Sequence, residues 1–151
     1  MTSQVFINGK KYGFVANAIH DVDAVRESYF ALVQKMFGLD FRPWYNSGFC
    51  RDVFVPYTLF DGDTAVASAG VVKNEFLWQG ERKMYIQIST VATDPDYRGR
   101  GLSRWLMDYV LDEWRDNCDC IYLYANDSVV DFYPKFGFVP THEHRYSLPV
   151  G

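Results

Sequence analysis

The sequence predicts a mixed α/β domain: a central, mostly antiparallel sheet of about six or seven strands, with helices on both faces. Three observations predict it. Strand-like runs joined by tight turns fill the first part of the chain, with turn signals at Asn8-Gly9 and Asp61-Gly62-Asp63. A β-α-β-α-β order follows, which implies parallel pairing late in the sheet. The chain has 151 residues, 48% hydrophobic and 23% charged, enough for one real core. With no internal repeat, low-complexity tract or linker, residues 1–151 read as a single domain.

The elements follow in order. "QVFINGKKYGFVA" is an extended opening around its Asn-Gly turn. "DVDAVRESYFALVQKMFG" is an amphipathic helix: Val22, Val25, Tyr29, Leu32, Val33 and Met36 recur at helical spacing. Asp21 is placed to cap its start and Gly38 to end it. "FRPWYNSGFCRD" reads as a short helix and a loop. "VFVPYTLF" and "TAVASAGVV" form a hairpin, and "KMYIQISTVAT" returns through "WQGE" as the next strand. "LSRWLMDYVLDEW" is helical, with Leu102, Trp105, Leu106, Tyr109 and Val110 on one stripe. "CIYLYA" is a short strand, "DSVVDFYPKFG" a second helix, and "FVPTHEHRYSLPV" a last pair of strands.

Composition excludes several function classes. The net charge of −4 repels phosphate backbones, so no nucleic-acid partner is expected. No apolar run reaches the roughly 18–20 residues of a membrane span, and the N-terminus lacks a signal-peptide pattern. Cys50, Cys118 and Cys120 form no CxxC pair, and an odd count suggests reduced thiols in a cytoplasmic protein. His142 and His144 share a strand face, but two histidines make a poor metal site, so no metal is expected.

The chemistry concentrates in "YRGRGLSRWL", residues 97–106. It follows a strand and opens a helix, whose first N–H groups have no intrahelical partners and carry the positive end of the helix dipole. Gly99 and Gly101 let the backbone turn and let a ligand approach those amides. A phosphate or pyrophosphate is the natural guest, with Arg98 and Arg100 available for charge-assisted hydrogen bonds. Arg104 stands where the dinucleotide fingerprint needs its third glycine, and the Gly-Lys-Ser/Thr run of triphosphate loops is absent. The change from antiparallel to parallel connection also falls at this point, where open sheets often bind ligands.

"VATDPDYRGRGLSRWL" resembles the pyrophosphate-binding segment of the GNAT superfamily of acyl-CoA-dependent acetyltransferases, Arg/Gln-x-x-Gly-x-Gly/Ala after the fourth strand. Arg98 and Gly101 fill the first two marked positions, and Ser103, small but a departure, stands at the third. "ANDSVVDFYPKFGF" resembles the second signature, an Asn after the fifth strand and a helix ending in Tyr-x-x-x-Gly-Phe. Asn126, Tyr133, Gly137 and Phe138 match it. The resemblance implies an N-acetyltransferase that uses acetyl-CoA as acyl donor. It places the pantetheine arm along the backbone of Val91, Ala92 and Thr93, as an added strand. The pyrophosphate then lies on the amides of Gly99, Arg100, Gly101, Leu102, Ser103 and Arg104, with the arginine side chains as helpers. Asn126 hydrogen-bonds the arm, and Tyr133 sits close to the sulfur.

The implied chemistry is direct attack of a primary amine on the thioester in a ternary complex, with positioning supplying much of the rate. The tetrahedral oxyanion needs an N–H donor, which the backbone near Val91 offers. The departing thiolate benefits from a proton, which Tyr133 can supply as general acid. Gln87 occupies the inward strand position where many members carry a Glu; it cannot be a base but can position a water. Glu27 and Glu75 are remoter carboxylates, and no base is assigned. Trp44, Tyr45 and Trp78 are candidates for the acceptor wall, otherwise core or rim aromatics. The acceptor is expected to be a small-molecule or peptide amine. A homodimer is compatible with this reading, and a longer natural protein is left open. The competing reading is a non-catalytic acyl-CoA-binding sensor or scaffold, kept alive by the missing strand Glu.

Overall fold

The computed structural model of the protein describes residues 2–144 and 146–149. Six strands form one sheet in sequence order: β1 (Ser3–Ile7), β2 (Lys10–Ala16), β3 (Phe54–Asp61), β4 (Thr64–Trp78), β5 (Glu81–Thr93) and β6 (Cys120–Leu123). Every neighbouring pair is antiparallel except β5 and β6, which run parallel. The crossover between those two strands is helix α3 (Leu102–Trp114). Helices α1 (Asp23–Phe37) and α2 (Arg42–Asn46) lie between β2 and β3 in the chain.

The two sheet faces bury different cores. On one face, Leu102, Leu106, Met107 and Val110 of α3 pack on Tyr57, Leu59, Ala67, Ala69, Val71, Ile86 and Ile88. On the other, Tyr29, Phe30 and Val33 of α1 pack with Ile19, Cys50 and Phe54. The helical spacing in each run thus matches one buried stripe per helix.

Three local expectations are corrected. Val22, not Asp21, is the N-cap of α1, and no side chain caps it; Gly38 does end the helix, left-handed at φ 69°. The stretch 127–137 is not one helix but holds two 3-10 turns, Asp127–Val129 and Tyr133–Phe136. Pro134 is the reason: it lacks an N–H and its ring collides with the carbonyl four residues back, so it suits only a first turn. The final pair of strands is also absent, since no strand occurs among the described residues after Leu123. Pro140 removes a ladder donor near the start of that segment.

Candidate active site

Two strands that run parallel need not stay together, and here they part. β6 pairs with β5 from Tyr85↔Cys120 to Ile88↔Leu123, while β5 continues to Thr93. Beyond Ile88 the edge of β5 faces an opening. On its other side β5 is bulged: Ser68 pairs with Ala92 but Gly70 with Ser89, so Thr90 and Val91 share one opposing residue. Thr90 takes φ 45°, a left-handed conformation that costs a β-branched residue roughly 1–3 kcal/mol. Such strain persists only where surrounding contacts enforce it. The Thr90 carbonyl accepts from Ser68 Oγ at 3.2 Å, and the Tyr29 hydroxyl lies 3.3 Å from Thr90 Oγ1.

The opening is a cavity of about 840 Å³. Val91, Ala92, Thr93, Arg98, Gly99, Gly101, Leu102, Ser103, Arg104, Asn126 and Tyr133 all line it. The α3 end is built for an anion. Gly101 is the N-cap at φ 79° and supplies no capping side chain, so the amides of the first turn keep their donors. Gly99 is also left-handed, at φ 73°. Arg98, Arg104 and Lys135 bring positive charge to the lining, against one carboxylate, Asp131. The Arg104 guanidinium rests 5.8 Å from the centre of the Phe136 ring. The Ser103 hydroxyl, where the signature has Gly or Ala, is drawn back to Thr93 Oγ1 at 2.6 Å.

Arg100 is not among the lining residues. Its guanidinium donates to the Asp96 carbonyl at 2.8 Å and stacks 4.7 Å from the Tyr97 ring centre, so it braces the loop instead. The loop has a second brace from the β1–β2 turn. Asn8 Nδ2 donates to the Arg100 carbonyl at 2.9 Å, which fixes the peptide just before the N-cap. Asn8→Gly keeps the turn, since Asn8 sits at φ 48°, and removes only that bond. One net hydrogen bond is worth about 1 kcal/mol, so the melting temperature falls by about 2–4 °C in a thermal-shift measurement.

Tyr133 is half-buried between the Phe132 and Phe138 rings, both met edge-on. Burial alone pushes its phenol above the ordinary value. The C-terminal end of α1 closes the cavity opposite, through Met36 and Phe37. It is pinned there by Lys35, whose ammonium donates to Asp94 at the end of β5 over 2.6 Å. That bond, helped by the Asp96 N–H, holds the Asp94 carboxyl below its usual range.

The remaining expected site residues lie elsewhere. Gln87 is off the cavity and accepts from the Tyr122 hydroxyl at 3.4 Å, which itself accepts from Asn74 Nδ2 at 3.2 Å. Trp44 packs on Phe41 and Phe54, and Tyr45 accepts from Arg26 and stacks on His20. Neither lines the cavity, and both serve the packing of α2 on α1 and β3. Trp78 pairs with Glu81 at the tip of the β4–β5 hairpin. From Glu81 to Thr90, at about 3.3 Å per residue, is about 30 Å along the strand, so Trp78 is remote from the cavity. Glu27 is engaged by Arg42 at 2.7 Å. Thr90, Met36, Phe37, Asp131 and Lys135 are among the site residues that the sequence does not announce. A threonine in a strand and a helix end give no local signal of their place.

The family comparison decides the identity. The profile of the acetyltransferase (GNAT) family matches residues 22–138, which takes in α1, the bulged strand, the glycine loop and the second signature. The chain belongs to the GNAT acetyltransferase family. This acetyltransferase therefore takes acetyl-CoA as its acyl donor. Its fold is shared with solved structures of low identity. A Trypanosoma brucei acetyltransferase superposes with a TM-score of 0.68 at 21% identity, over 92% of this chain and 99% of that one. A predicted acetyltransferase from Clostridium acetobutylicum, solved with acetyl-CoA, gives 0.68 at 18% identity, over 91% and 96%. Glucosamine-6-phosphate N-acetyltransferase from Arabidopsis thaliana gives 0.71 at 15% identity, over 92% and 99%. No curated protein sequence matches. Among the described residues no group of three His, Cys, Asp or Glu is placed to hold a metal ion, and no helix is long and apolar enough to cross a membrane.

Proposed function

We propose that this acetyltransferase acts on a small primary amine, by direct attack on the thioester, with Tyr133 as general acid. The observation that carries the reading is the parting of β5 from β6. It opens one cavity onto the strand edge, the uncapped start of α3, Asn126 and Tyr133 together. The edge of Val91–Thr93 offers the pantetheine arm a strand partner. The α3 amides with Arg98 and Arg104 receive the pyrophosphate. Asn126, in the lining of the same cavity, hydrogen-bonds the arm. Tyr133 is protonated at neutral pH, as a phenol with an ordinary pKa of about 10 already is, and burial raises that value further, so a proton is at hand for the departing thiolate. Gln87 lies off the cavity and is not a base, and no base is assigned to the amine.

A thiol-release assay with acetyl-CoA against a panel of polyamines, amino sugars and basic peptides tests the reading. Release with at least one amine supports it. Tight CoA binding without release from any amine would favour a sensor instead. The pH dependence follows from the raised phenol: its neutral form persists past the ordinary value of about 10. The kcat/KM profile therefore rises as the amine deprotonates and shows no alkaline fall below about pH 10. A fall between pH 7 and 9 would mean that another acid is in use.

A further inference from the structure

Ser68 has no place in the signatures, yet it is a fully buried polar residue whose hydroxyl is committed to a single strained peptide. Its partner is the carbonyl of Thr90, the left-handed residue of the bulge. The neighbourhood enforces the same conformation twice more. The fully buried Tyr29 places its hydroxyl 3.3 Å from Thr90 Oγ1. Gly70 leaves the space that Thr90 uses: a Cβ there would stand 2.5 Å from Thr90 Oγ1 and 2.7 Å from the Phe54 ring. Three residues outside the cleft thus fix one peptide within it.

The direction of that peptide matters. A planar trans peptide holds its carbonyl and the following N–H on opposite sides. With the Thr90 carbonyl held toward β4, the Val91 N–H is directed away from β4, into the opening that β6 has left. We infer that Ser68 is a positioning residue, supported by Tyr29, which aims the Val91 N–H at the acyl carbonyl of the donor. The inference rests on the proposed placement of the donor arm along Val91–Thr93. Neither Ser68 nor Tyr29 touches the donor; both act through Thr90.

Calorimetric titration of the intact chain with CoA and with acetyl-CoA reads this without an acceptor, because only acetyl-CoA carries the carbonyl. The unaltered protein binds acetyl-CoA about fivefold more tightly than CoA, as one net hydrogen bond allows. Ser68→Ala loses that preference, while its CoA affinity stays within about twofold. Tyr29→Phe removes only the second tether and shifts the preference in the same direction as Ser68→Ala. It serves as the test if Ser68→Ala does not fold. A merely structural role would weaken both ligands equally, and that result overturns the inference. So does an unaltered protein with no preference, or a preference that survives in both variants. If the unaltered protein binds neither ligand, the cleft placement falls and this inference falls with it.

Discussion

Tyr133→Phe lowers kcat on the order of 100-fold at pH 7, while the KM for acetyl-CoA stays near that of the unaltered protein. The substitution removes one hydroxyl and keeps the ring that packs between Phe132 and Phe138, so the wall of the cavity survives. What is lost is a proton on a half-buried phenol, neutral at pH 7. The thiolate of the product must then leave unaided or take its proton from water. Steady-state thiol release at saturating acetyl-CoA, with the best amine of the panel, measures the effect. Equal turnover in the two proteins would make Tyr133 a packing residue.

Gly101→Glu abolishes CoA binding. Two effects combine in it and can be separated. Any side chain at φ 79° is strained, and a Cβ there would meet Asn8 Nδ2 at 2.9 Å, the atom that braces the loop. Only glutamate also sets a negative charge and bulk at the amides that receive the pyrophosphate. Gly101→Ala is therefore the control. Both variants melt lower than the unaltered protein, from roughly 1–3 kcal/mol of backbone strain. In a thermal-shift titration Gly101→Ala still responds to CoA, by mass action on the native state, and Gly101→Glu does not. A response in the glutamate variant as large as in the alanine variant would move the pyrophosphate off this loop.

The parts of the fold legible in the sequence are those set by local rules. Helix α3 runs over Leu102–Trp114, as its apolar stripe predicts, because its start is marked by glycines and its face by Leu102, Leu106 and Val110. The hairpin at Asp61-Gly62-Asp63 is equally local. The parallel step from β5 to β6 follows from the intervening helix. The misses have non-local or competing causes. Pro134 outweighed a helical pattern over 127–137, which holds two separate turns. The left-handed Thr90 is invisible because threonine is an ordinary strand residue. Its conformation is imposed by Ser68, Tyr29 and Gly70, which reach it only after the sheet and α1 have assembled. In the same way, nothing near Met36 and Phe37 announces that Lys35 and Asp94 will hold them at the cleft. The signature residues were legible as a pattern, but the pattern does not say where each side chain turns. Arg100 reads as a phosphate ligand, and the structure commits it to Asp96 and Tyr97.

The central claim is that one cleft, opened where β5 leaves β6, receives the whole donor. A crystal structure of the protein with acetyl-CoA tests it most directly. The pyrophosphate is expected on the amides of residues 99–104 and the pantetheine arm between Val91–Thr93 and Asn126, and a donor in this cleft has both. The thioester carbonyl then lies within hydrogen-bond reach of the Val91 N–H, and the sulfur beside the Tyr133 hydroxyl. A donor bound instead in the second groove of the protein, lined by Ile121, Phe138 and His142, would contradict it, as would a pyrophosphate away from the start of α3.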